Sequence, residues 1–188
     1  MYDLHSILIQ LKKEDTPLHG IMVRCVRCFY QRLDPTLLEG SALFELWAQE
    51  LELIYGDLRQ RLSPNAKTDA GSLGDRFGFD TPPELPRLLQ SIQTFYSVLI
   101  KLIAWNTLRG ATPEPPLTEL LSGRAFVNRG IRNFCGDDWY IWPLDIWDPA
   151  LETQCEELRA CLESFDTCSE GSTLSPDSLS RIYETVVP

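Results

Sequence analysis

The sequence predicts an all-α fold, an irregular helical bundle around one long central helix over about residues 84–109. Three observations carry that expectation. Apolar residues recur at three- and four-residue spacing along most of the chain. No run alternates apolar and polar residues as a half-buried strand would, and clusters rich in proline and glycine separate the periodic stretches.

The elements follow in order. Leu4, Ile7, Leu8 and Leu11 mark a first helix, and after Asp15-Thr16-Pro17 the pattern restarts with Leu18, Ile21, Met22, Cys25, Cys28 and Phe29. A third helix is expected from about Ser41, a good N-cap, with Phe44, Trp47, Leu51, Ile54, Tyr55 and Leu58 on one stripe. Residues 62–83 hold Ser63-Pro64-Asn65, Gly71, Gly74, Gly78 and Pro82-Pro83, the chemistry of a loop, and divide residues 1–61 from 84–188 within one compact domain. From Glu84 to Arg109 the apolar positions make a helix of up to about 39 Å at 1.5 Å per residue. Its second half is apolar nearly all round, so it is expected to be buried. Pro113 to Pro116 break the chain before a short helix over Leu117 to Leu121. Asp148 as N-cap and Pro149 at the first helical position open a helix carrying Leu151, Cys155, Leu158, Leu162 and Phe165. Ser175-Pro176 repeats that start for a last helix with Leu179, Ile182, Tyr183 and Val186.

Composition narrows the function classes. With 188 residues, 44% hydrophobic and 23% charged, the chain is expected to fold around a core of its own and is unlike a disordered segment. The net charge of −10 opposes phosphate binding by the surface as a whole. The charge is uneven: residues 1–32 hold Lys12, Lys13, Arg24, Arg27 and Arg32 against Asp3, Glu14 and Asp15, so any contact with nucleic acid is local. Lys101 and Asn106 interrupt the most apolar stretch, and with no secretory leader in view a cytoplasmic protein with no membrane partner is expected. The six cysteines are then expected as reduced thiols. Cys25-Val-Arg-Cys28 has the spacing of half a zinc site, but no second pair or nearby histidine completes it, and three-residue spacing also places both thiols on one side of a helix.

Few residues carry candidate chemistry. His5 and His19 have no nucleophile signature near them and read as surface or capping residues. Arg124, Arg129 and Arg132, set around Gly123 and Gly130, are candidates for phosphate contact, as are Arg24 and Arg27; pairing with nearby acids is the alternative. The segment Asn133 to Asp148 holds Trp139, Tyr140, Trp142 and Trp147 among four aspartates. It reads as an aromatic hinge that packs the last helices with aspartates capping them, or as an aromatic docking platform, or as a carboxylate metal site built on Asp137, Asp138 and Asp145.

The ordered set Phe44-Glu45-Leu46-Trp47, Ile54-Tyr55-Gly56-Asp57, Thr94 through Ala104, Asn133-Phe134, Asp138-Trp139-Tyr140 and Trp142, then Ser180-Arg181-Ile182-Tyr183 to Pro188, resembles the helical region before the catalytic domain of type IIG-like adenine-specific DNA methyltransferases in restriction-modification and phage-defence systems. The resemblance covers roughly residues 41–188 and rests on order and spacing. The histidine that precedes the threonine-aromatic pair in the family is replaced here, and the family's aromatic tetrad stands as Trp139-Tyr140-Ile141-Trp142. The resemblance implies a non-catalytic scaffold or DNA-positioning domain, with a methyltransferase domain expected beyond Pro188 and S-adenosylmethionine as the cofactor of the parent protein. Within these residues no cofactor is expected, because Asp34-Pro35 leads into a helix cap rather than a glycine turn and no Asn/Asp-Pro-Pro-aromatic tetrapeptide is present. The alternative is a stand-alone helical adaptor that binds protein through its aromatic segment.

Overall fold

The computed structural model describes residues 4–33, 46, 49, 73–108, 113–132, 134, 141–165, 181–182 and 184–185. These residues are all-helical, with one long central helix, as the periodicity predicts, and no strand among them. The expected helix from Ser41 lies outside the described residues apart from helical positions 46 and 49, and the last helix apart from positions 181–182 and 184–185.

Helix α1 spans Leu4–Lys12 and α2 spans Pro17–Arg32. Between them Thr16 serves both ends: its Oγ1 accepts from the His19 N–H at 3.4 Å and donates to the Lys13 carbonyl at 2.7 Å, while Pro17 takes a position that needs no N–H partner. Leu18, Ile21, Met22, Cys25, Val26 and Phe29 form the buried stripe of α2. Val26 completes it rather than Cys28, which is half-buried on the flank.

Helix α3, Leu85–Leu108, is the axis of the fold. Its residues Leu88, Ile92, Phe95, Val98, Leu99, Leu102, Ile103 and Trp105 are buried on several faces, because α2 and the later helices Leu117–Leu121 and Pro149–Glu163 all pack on it. By length and mean hydropathy this helix is long and apolar enough to cross a membrane, even with Lys101 and Asn106 within it. In the fold, 67% of that stretch is buried within the protein itself. Helix α4, Leu117–Leu121, is followed by α5, Arg124–Val127. Gly123 joins them at φ +80°, a left-handed conformation in which a side chain would be strained. A 3-10 turn over Trp142–Leu144 leads to α6, Pro149–Glu163. Asp148 accepts from the Leu151 N–H at 2.7 Å, the cap read from sequence.

Two polar ties lock α6 antiparallel to α2. Arg32 grips Asp148 through both carboxylate oxygens, at 2.7 and 3.1 Å, and Arg24 meets Glu157 at 2.7 Å. The backbone N–H of Leu151, together with Arg32, holds the Asp148 carboxyl below its ordinary range. The thiols of Cys25 and Cys155 sit in this interface, where burial pushes Cys155 up to about 12 and raises Cys25 well above the ordinary thiol value. They behave as small apolar core groups. Among the described residues no three His, Cys, Asp or Glu side chains converge on a metal-sized site.

Two readings need correction. The loop over 62–83 contributes a helical turn at residues 73–76, and Phe77 just after it is fully buried, since an aromatic at the end of one turn gains more by entering the core than the loop gains by extending. Gly74 is part of the reason: a Cβ there would meet the Pro83 ring at 2.6 Å, so the turn folds back closely on the following segment. His19, read as a surface or capping residue, is 6% exposed, and the side chain of His5 lies outside the described residues.

Burial and the nearby charge of Arg76 lower the pKa of His19 below its ordinary value of 6.5, against a smaller opposing effect of Glu14. The unfolded chain therefore takes up a proton at His19 before the folded chain does. Stability contributed by the neutral imidazole is present above about pH 6.5 and is lost as the pH falls from there to the lowered folded value. We expect His19→Gln to flatten the decline of the urea midpoint between pH 7 and 5, a slope of at most about 1.4 kcal/mol per pH unit for one group. An unchanged slope in the variant would remove His19 as its source.

Candidate nucleic-acid interface

The arginines singled out from sequence fall in two places. On α2, Arg24 and Arg27 stand three residues apart and end in different surroundings. Arg24 is half-exposed and paired with Glu157, a surface ion pair worth no more than about 1 kcal/mol, so its guanidinium is partly engaged. Arg27 lies over the ring of Phe79, with its Cζ 5.7 Å from the centroid. Phe79 meets Tyr30 edge-on at 4.8 Å and 69°, and Arg87 lies over Tyr30 at 4.3 Å. The result is a ladder of guanidinium, two rings and guanidinium at the junction of α2, the 73–84 segment and the start of α3. The Tyr30 hydroxyl accepts from the Glu84 N–H at 3.0 Å and so fixes the ladder to the first turn of α3. Gly78, at φ +67°, passes beneath Arg27, where a Cβ would stand 3.3 Å from Nη1.

Sequence reading missed Tyr30, Phe79 and Arg87. Nothing short-range could have revealed them: they lie up to 57 positions apart in the chain, and a lone Phe-Asp or Pro-Arg pair carries no signal.

Arg124, Arg129 and Arg132 cluster in sequence around α5. Arg124 opens α5 and is exposed, and Arg132 is exposed beyond the Gly130 turn. Neither forms an ion pair with a described carboxylate. Arg129 lies 5.1 Å over the Trp105 ring and donates to the Leu108 carbonyl, closing the C-terminus of α3. Its guanidinium thus has a structural task, which separates it from Arg124 and Arg132.

The aromatic segment is divided. Trp139 and Tyr140 lie outside the described residues, as do Asp137 and Asp138, while Asp145 is exposed. Trp142 is only 8% exposed, so its reading as an exposed docking group is corrected. Its indole N–H donates to Thr94 Oγ1 at 3.0 Å, Thr94 in turn donates to the Gln90 carbonyl at 2.8 Å, and the ring meets Phe29 edge-on at 5.9 Å. With its N–H satisfied inside, the ring gains by full burial. Trp147 is half-buried against the same core.

Chemically the described surface offers unpaired guanidinium groups and no nucleophile-base pair, and its clearest capacity is to contact anions. No protein-family model, curated protein or solved structure matches this chain.

Proposed function

We propose that the chain is a non-catalytic helical scaffold that positions DNA for a SAM-dependent adenine methyltransferase of a restriction-modification or phage-defence system. Its cofactor and target base would be held by a catalytic domain outside these residues, and this piece would supply a rigid brace and a few phosphate contacts.

One observation carries the reading. Thr94 and Trp142, which belong to two of the segments on which the family resemblance rests, meet in the core through the Trp142 to Thr94 hydrogen bond. Segments 48 positions apart in sequence are thus joined as one structural unit, as expected for residues whose shared role is to hold a scaffold in shape. The unpaired Arg124 and Arg132 then stand as the phosphate contacts of this unit.

The test is a titration of labelled duplex DNA at about 50 and about 200 mM salt, comparing the chain with Arg124→Ala plus Arg132→Ala. Salt-sensitive binding that weakens several-fold in the double variant is expected. No binding at the lower salt would sink the DNA-positioning role. That result would favour the second reading, a protein-binding adaptor, which the net charge of −10 and the exposed Ile9 (49%) and Val127 (43%) support.

A further inference from the structure

We infer that Arg27 and Arg87, mounted on Phe79 and Tyr30, form a second phosphate-gripping site for the DNA backbone; this rests on the DNA-positioning reading above.

The first ground is an imbalance of partners. Acids outnumber bases by 27 to 17 in this chain, and Arg24, Arg32 and Arg159 each pair with a carboxylate. Among the described residues neither Arg27 nor Arg87 does. Among the described residues these two guanidinium groups are left without a carboxylate in a chain rich in them; Arg27 sits on the flank of α2, within the segment that carries the chain's local excess of positive charge, and Arg87 stands in the first turn of α3.

The second ground is geometry. A guanidinium lying over a ring has its flat face occupied, while the N–H fork at its edge remains the part suited to paired oxygens. Arg87 spends one N–H on the Gln31 carbonyl at 3.3 Å, which fixes its direction without neutralising it. The rings hold both side chains in place before any ligand arrives, so binding sacrifices less side-chain freedom than it would for two loose lysines. The steps of the ladder, 5.7, 4.8 and 4.3 Å, keep the two cations within about 15 Å of each other, the span of a few phosphates along one strand. A polyanion of regular spacing fits two such preset cations better than a flexible acidic peptide does.

Duplex binding is read by fluorescence anisotropy between about 50 and about 200 mM salt for the wild type, for Arg27→Gln with Arg87→Gln, and for Arg27→Lys with Arg87→Lys. The glutamine pair is expected to lower the slope of log K against log salt by about two, since each lost phosphate contact removes about 0.9. The lysine pair should keep the slope and lose affinity several-fold, because the charge stays and the stacked fork goes. A wild-type slope in the glutamine pair, with binding lost in the Arg124/Arg132 variant, would overturn this site and leave the DNA-positioning role standing. Absence of duplex binding in the wild type would overturn both. Equal competition by polyglutamate at matched charge would reassign the ladder to an acidic protein partner and overturn the nucleic-acid assignment. The lysine pair keeps both charges, so it also separates the site from a fold defect: if it lost the slope as the glutamine pair does, unfolding rather than phosphate contact would be the cause and the inference would fall.

Discussion

Replacing Lys101 by glutamate is expected to lower the stability of this fold by about 4 kcal/mol or more, the largest effect of any single substitution considered. Lys101 is 3% exposed on the most apolar part of α3, between Val98 and Leu102, and its Nζ donates to the Leu121 carbonyl at 2.9 Å. That carbonyl belongs to the last turn of α4, where helix geometry provides no backbone donor. A carboxylate at this position would face a carbonyl oxygen with no proton to offer, in surroundings that charge water access heavily for any ion. Since domains of this size hold about 5–15 kcal/mol in all, much of the chain would be unfolded at ambient temperature. Lys101→Met keeps most of the stem and gives up the donor, and should cost about 1–3 kcal/mol. Urea unfolding followed by circular dichroism reads both variants. A Lys101→Glu midpoint equal to the wild type would mean that the side chain is not enclosed between α3 and α4.

Trp142→Ala is expected to cost about 3–5 kcal/mol, which in a chain of this length lowers the melting temperature by on the order of 10 °C. The loss combines the ring's packing on Phe29 with the hydrogen bond to Thr94, and it severs the join between the 3-10 turn, α2 and α3. Trp142→Phe retains most of the packing and leaves Thr94 still bonded to the Gln90 carbonyl, so a loss of about 1–2 kcal/mol is expected. Thr94→Val combined with Trp142→Phe then isolates the bond itself, with a coupling of about 1 kcal/mol. If Trp142→Ala melted within a degree or two of the wild type, the ring would have to be a surface group, and the docking reading of the segment would return.

These two positions illustrate how legibility divides in this protein. Trp142 and Lys101 were both visible as residues, but their tasks were not. An isolated tryptophan in an acidic aromatic segment fits a platform as well as a core, and a lysine in an apolar helix reads as an interruption until the carbonyl it caps is brought alongside by a helix 20 residues further on. The aspartates of the same segment divide likewise. Asp148 was readable as a cap because its partner, the Leu151 N–H, is three residues away; its second partner, Arg32, is 116 positions off and was not.

What the sequence by itself determined is the helical class, the central helix expected at about 84–109 and found at Leu85–Leu108, the short helix Leu117–Leu121, and the starts at Pro17 and Pro149. All of these rest on interactions spanning a few residues, namely side-chain periodicity, caps and the missing N–H of proline, which any chain with that local order will make. Only the tertiary structure decided which arginines are engaged and which are left over, that Arg27 and Arg87 share one aromatic ladder, and that His19, Phe77 and Trp142 lie inside. Those outcomes depend on distant segments meeting in a core, where burial and pairing are properties of the assembled neighbours and of no single stretch of chain.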